Sequence, residues 1–147
     1  MIAFRIPISH IKKSTNSIYA GEHWAKRKEY KDSVLNTVAL FCRKAPAITE
    51  WPVSIRYRYL FESRALDTLN TAYLAKCVED SFRSLGILPD DTPEYVRETI
   101  LEVVKVTHSK EPKKLQGSGK KVNAEDYLEI IIKSYEPIIE NSTATLD

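Results

Sequence analysis

The sequence predicts a single α/β domain of the α+β kind, in which a mixed β-sheet of about four strands is covered by two main helices. Three observations carry this. Residues 53–61 (VSIRYRYLF) alternate apolar and polar side chains, residues 22–44 and 70–85 show helical apolar spacing, and the remaining strand-like runs give the order β-α-β-α-β-β. At 147 residues the chain can bury about 68–70% of its unfolded surface in one core. Residues 1–140 are expected to form that domain, and residues 141–147 (NSTATLD) a frayed C-terminal tail.

Taken in order, residues 2–8 (IAFRIPI) alternate and read as an opening strand, followed by a polar loop through Lys12 to Ser17. The helix over 22–44 has no internal Gly or Pro, places Val34, Leu35, Val38 and Phe41 on one face, and begins with a basic half. Pro46 and Pro52 bracket a turn. In the strand over 53–61, Val53, Ile55, Tyr57, Tyr59 and Phe61 face one way, toward the core, and Arg56 and Arg58 the other. The second helix starts at Asn70, a good N-cap residue, and ends at Leu85 before Gly86, with Leu74, Val78, Phe82 and Leu85 as its buried stripe. Residues 95–107 and 126–135 read as strands, and 108–125, carrying GSGKK, as a mobile basic loop.

Composition is that of an ordinary soluble protein, with 43% apolar and 29% charged residues. A net charge of +2 does not by itself imply an anionic partner. Its distribution says more: lysines and arginines crowd both terminal thirds (Lys12, Lys13, Lys26, Arg27, Lys28 and Lys31; Lys105 to Lys121), and acids cluster between them. Basic flanks around an acidic centre suit a protein that holds nucleic acid against a metal, and a plainly solvated surface gives the same count. Cys42 and Cys77 lie within helices and read as small buried hydrophobes of a reducing compartment. No zinc spacing and no run of 18 apolar residues occurs, so no membrane partner and a cytoplasmic location are expected.

The chemistry concentrates in Arg64 to Tyr95 (RALDTLNTAYLAKCVEDSFRSLGILPDDTPEY). Asp67 precedes the second helix, Lys76, Glu79 and Asp80 lie on it, and Asp90 and Asp91 follow it. A phosphodiester is anionic and slow to hydrolyse. Mg²⁺ held by one or two carboxylates supplies an activated water and neutralises charge, and a nearby lysine helps at the phosphate or the leaving oxygen. Asp67, Asp91, Lys76 and one of Glu79, Asp80 or Asp90 have the chemistry for those roles. Helix caps, turn residues and solvated helix faces account for the same acids without any catalysis.

The segment resembles the core motif of the RusA family of Holliday-junction resolvases, in its phage-type branch. Arg64, Asp67, Asn70, Lys76, Asp80, Gly86, Ile87, Leu88, Asp90 and Asp91 correspond to that motif, and Asn16 to Asp32 (NSIYAGEHWAKRKEYKD) is similar to a second segment of the same branch. The likeness covers roughly residues 2–107 and is weaker in the terminal strand. It implies a RusA-like nuclease domain, a Mg²⁺-dependent endonuclease (Mn²⁺ substituting), and a homodimer that binds a four-way DNA junction and nicks it symmetrically. Asp67, Lys76 and Asp91 are then the expected catalytic residues, with Asp67, Asp91, Asp90, Asp80 and Glu79 as expected metal ligands. One position departs from the motif: Leu69 stands where the family has a second aspartate. Either Glu79 or Asp80 compensates, or Asp67 and Asp91 hold the metal alone, or the protein binds branched DNA or a partner protein without cutting.

Reach sets a further condition. A helix over 70–85 is about 24 Å long, and six extended residues recover at most about 20 Å. Asp91 therefore meets Asp67 only if the loop doubles straight back, the helix is shorter, or another subunit donates one group.

For DNA binding, Lys26, Arg27, Lys28 and Lys31 fall within two helical turns and make a phosphate-binding or simply solvated face. Arg56 and Arg58 line a concave DNA surface or pair with neighbouring acids. Arg64 leads into the motif, and Lys120 and Lys121 sit in the basic loop. His23 and Trp24 either touch DNA or leave the tryptophan packed under the sheet edge.

Overall fold

Alternation fixes the centre of the sheet. In the computed structural model, which describes residues 1–21, 23–106 and 124–138, strand β2 (Val53–Phe61) buries Val53, Ile55, Tyr57, Tyr59 and Phe61 and leaves Arg56 and Arg58 half-buried on the opposite face. β1 (Ile2–Pro7) and β4 (Tyr127–Ser134) pair antiparallel, β4 pairs antiparallel with β2, and β3 (Val96–Lys105) pairs parallel with β2. The result is one mixed sheet in the order β1-β4-β2-β3. Parallel strands need a crossover, and α3 (Ala72–Ser84) supplies it between β2 and β3.

All the helices lie on one face. Cross-strand register places Phe4, Ile130, Tyr57 and Leu101 in one row, and Ile6, Leu128, Tyr59 and Val103 in the next. Phe82 of α3 meets Phe4 with ring centroids 5.8 Å apart, and Val34, Val38 and Cys42 of α2 (Trp24–Cys42) join the same core. Both cysteines are buried, and burial pushes the Cys42 thiol up to about 12.

Several local expectations fail for physical reasons. The polar loop contains a short helix, α1 (Thr15–Tyr19), which Ser14 caps through its side chain with the Asn16 amide at 3.1 Å. In α2 the buried line runs Val34, Val38, Cys42, along the i, i+4 ridge that drifts around a helix. Phe41 falls off that ridge and stays 46% exposed, and Leu35 is half-buried. Asn70 is not the N-cap of α3: a 3₁₀ turn, Thr68–Thr71, begins after Asp67 and leads into the helix. At the other end Leu85 is 38% exposed, and α3 instead buries Ala75, Cys77 and Ser81, because it packs against both the sheet and α2. The basic loop, with Lys120 and Lys121, and the tail at 141–147 lie outside the described residues.

Candidate functional site

The segment leaving β2 is tethered before it reaches Asp67. Asp126, 1% exposed, accepts the Glu62 and Ser63 amides on Oδ1 at 2.9 and 3.0 Å, and the Ser63 hydroxyl on Oδ2 at 2.5 Å. Lys12 Nζ lies 3.5 Å from the same carboxylate, donates to Ser63 Oγ at 2.8 Å, and also donates to the Arg64 carbonyl. Burial pushes the Asp126 carboxyl up, but the Ser63 hydroxyl and amide and the Lys12 charge outweigh it, so the net direction is down. A buried carboxylate survives there because donors saturate it.

A second tether fixes the start of α3. Thr15 Oγ1 of α1 donates to the Asn70 carbonyl at 3.0 Å and accepts the Tyr73 amide at 3.1 Å. The buried Tyr59 hydroxyl donates to the Thr71 carbonyl at 2.9 Å. Asp67 therefore stands exposed at the head of the 3₁₀ turn, its carbonyl accepting the Asn70 amide at 2.9 Å. Leu69 sits in that turn, 82% exposed.

The chain beyond α3 folds back along the helix. Gly86 adopts φ +75°, a left-handed turn that suits glycine, and the Phe82 carbonyl accepts both the Ile87 and Leu88 amides, at 2.9 and 3.2 Å. Leu88, 1% exposed, then plugs into the core. That return carries Asp91 two helical turns back to Lys76. Of the conditions set for Asp91 to reach Asp67, the loop does double back and α3, with 13 residues, is shorter than expected, but the contact Asp91 makes is with Lys76.

Lys76 is the hub. Its Nζ lies 2.8 Å from Asp91 Oδ2 and 3.2 Å from Asp80 Oδ1. Arg83, one turn beyond Asp80, approaches Asp90 Oδ1 at 3.5 Å and Asp91 Oδ2 at 3.7 Å, and Asp90 Oδ1 accepts the Asp91 amide at 2.8 Å. The hydrogen bond to Asp91 holds the Lys76 ammonium above its ordinary range, and the same bond holds Asp91 below the usual carboxylate range. Glu79 turns inward, accepting from the Tyr57 hydroxyl at 3.4 Å, and burial pushes its carboxyl up. Tyr57, Lys76 and Glu79 help line a cleft of about 170 Å³ between α3 and β3. A larger hollow of about 380 Å³ lies elsewhere, between the 46–50 segment and the end of β4, where Ser134 Oγ donates to Glu50 at 2.6 Å and no charged cluster forms.

Of the expected acids, the fold thus gathers Asp80 and Asp91 around Lys76, sets Asp90 beside Arg83, turns Glu79 toward Tyr57, and leaves Asp67 without a contact to this group. Among the described residues, no group of three or more His, Cys, Asp or Glu side chains converges closely enough to hold a metal ion. Asp80 and Asp91 both reach one ammonium, so two carboxylates do converge, which suits a Mg²⁺ ion that keeps most of its water.

The basic candidates divide. Lys26, Lys28, Lys31 and Arg64 are exposed. Arg27 is half-buried and donates to the Ile18 carbonyl at 3.1 Å, which ties α1 to α2. Arg56 pairs with Glu102 at 3.1 Å, and Arg58 with Glu102 at 3.6 Å and Glu129 at 3.4 Å, all on the sheet face away from the helices. Pairing with acids is therefore the observed alternative for these two. His23 caps α2, its Nδ1 accepting the Ala25 amide at 3.2 Å, and Trp24 is 71% exposed, so the tryptophan is not packed under the sheet.

Sequence reasoning missed Arg83 as a member of the cluster, although its i+7 spacing from Lys76 places it on the same stripe. It also missed Lys12 and Asp126, which meet Ser63 across 51 and 63 residues and have no local signal. Compared with known proteins, the chain matches no family model and no curated sequence.

Proposed function

We propose that this chain is a Mg²⁺-dependent, RusA-like endonuclease that resolves four-way DNA junctions by symmetric nicking as a homodimer. The observation that carries the reading is the return of the chain after Gly86, which sets Asp91 2.8 Å from the exposed Lys76 ammonium that Asp80, one helical turn along α3, already approaches at 3.2 Å. A motif residue 15 positions away in sequence meets Lys76 only through that turn.

Asp91 and Asp80 would hold the metal, with Asp67 contributing from the head of the 3₁₀ turn. When bound, Mg²⁺ supplies a water of lowered pKa and neutralises charge on the phosphate. The chain's own residues do the rest. Lys76, poised between two carboxylates, turns its ammonium to a phosphate oxygen and neutralises the charge that develops there. Arg83 holds Asp90 and Asp91 in place, and Lys26, Lys28 and Lys31 on α2 bind backbone phosphates along the approach.

A second reading has its own support. Leu69 is 82% exposed in the turn where the motif places an acid, and no three-acid group forms among the described residues. On this reading the protein binds branched DNA or a partner protein and does not cut. The deciding experiment is incubation of purified protein with an end-labelled four-way junction in Mg²⁺, in Mn²⁺ and in chelator. Symmetric, metal-dependent nicks are expected. Tight junction binding with no nick in either metal replaces the nuclease with the binding module, and no binding at all removes both.

A further inference from the structure

The helices cover one face of the sheet, and no described element packs on the other. Register orders that open face into rows. The central row reads Arg5, Glu129, Arg58, Glu102 across β1, β4, β2 and β3, a strict alternation of charge. On one side lie Ala3, Ile131, Arg56 and Ile100, and on the other Pro7, Tyr127, Leu60 and Val104. Leu60, Ile100, Val104, Tyr127 and Ile131 are each half-buried there.

We infer that this face is the pairing surface for a second copy of the chain. A row reading plus, minus, plus, minus changes sign when reflected about its midpoint. A two-fold axis along the strands, between β4 and β2, performs that reflection on a face-to-face pair. It sets Arg5 against the partner's Glu102 and Glu129 against the partner's Arg58. The same axis sets Tyr127 against the partner's Leu60 and Pro7 against the partner's Val104. Such self-complementarity is what an isologous interface requires.

Nucleic acid does not fit this face. Arg56 and Arg58 are already held by Glu102 and Glu129 at 3.1 to 3.6 Å, so a phosphate backbone approaching them would meet carboxylates. The size is adequate for a pair. Four strands about 4.8 Å apart and some eight residues at about 3.3 Å each give roughly 19 by 26 Å per copy. Two copies bury about 1,000 Å², the threshold for a specific interface. The helix layers, with the Lys76 cluster, then face outward on both sides. A dimer is part of the nuclease reading, but this choice of face comes from the sheet alone, and its test measures association rather than cleavage.

Sedimentation equilibrium of the full chain is expected to show a dimer at tens of micromolar. Arg5→Glu and Glu102→Arg should each raise the dimer Kd by about ten-fold or more, and the double variant should return it to within about three-fold of wild type. Arg5 and Glu102 lie on opposite edges of their own sheet, about 14 Å apart, so recovery arises only across the interface. Should Glu102→Arg unfold beside Arg56 and Arg58, cysteine pairing decides. A short bismaleimide, which spans the gap of about 10 Å between facing sheets, should cross-link Arg5→Cys chains mixed with Glu102→Cys chains into a heterodimer that neither forms alone, since Cys42 and Cys77 are buried. A monomeric wild type, a double variant that fails to recover, or a mixture without the cross-link overturns the inference.

Discussion

Removing the Asp126 carboxylate tests how the approach to the candidate site is held. Asp126→Ala strips the acceptor from the Glu62 and Ser63 amides and the Ser63 hydroxyl, and leaves Lys12, with its side chain 18% exposed, beside a hole. Hydrogen bonds to a charged group contribute about 1.5–3 kcal/mol each. They share one carboxylate, so the whole loss is set by breaking a buried pair from one side, about 3–5 kcal/mol. That is a large part of the roughly 5–15 kcal/mol expected for a domain, and equals a fall in Tm of about 10 °C. Asp126→Asn keeps one acceptor oxygen and should lose about half as much. Urea melts of the three proteins measure both values. The pH dependence has a definite sign: the folded Asp126 carboxyl is depressed, so its contribution is fully present above the unfolded value near 3.9. It is lost as pH falls through the folded value, and the gap between wild type and Asp126→Asn should close on acidification below about pH 4. A loss under about 1 kcal/mol for Asp126→Ala, or a gap that does not narrow in acid, refutes this account of the tether.

Three further outcomes bear on function. Asp91→Asn should abolish nicking, by about 100-fold or more, while junction affinity stays within about three-fold; lost binding in a folded variant counts against the metal role. Lys28→Ala with Lys31→Ala should weaken junction binding and reduce the slope of log K against log salt by about 2, which titration at several salt concentrations reads directly; an unchanged slope removes α2 from the phosphate path. Leu69→Asp should raise metal-dependent nicking about ten-fold if an acid is what this turn lacks, and unchanged cleavage in Mg²⁺ and Mn²⁺ shows that position 69 does not limit the protein.

Much of the scaffold was legible because period-2 alternation is a local signal. Residues 53–61 name both faces of β2 outright, and the four strand positions follow from apolar runs bounded by turns. Helix packing was less legible, since the choice between Phe41 and Cys42, or between Leu85 and Ala75, depends on the direction of the ridge that meets the neighbouring element. The site was half legible. Lys76, Asp80, Asp90 and Asp91 come together through one helix and one glycine turn, all within 16 residues. Arg27, Lys12 and Asp126 take their roles from distant carbonyls, hydroxyls and charges, which no local pattern encodes.

Leu88 ties the acidic pair to the interior like a peg in a socket. Because it is 1% exposed and its amide is bonded to the Phe82 carbonyl, anything that loosens packing around Phe82 also lets Asp91 drift from Lys76 and Asp90 from Arg83. Warming or a small cavity at that spot would therefore disperse the cluster before the strands come apart. In this molecule, firmness of the interior and readiness of the surface charges are a single property.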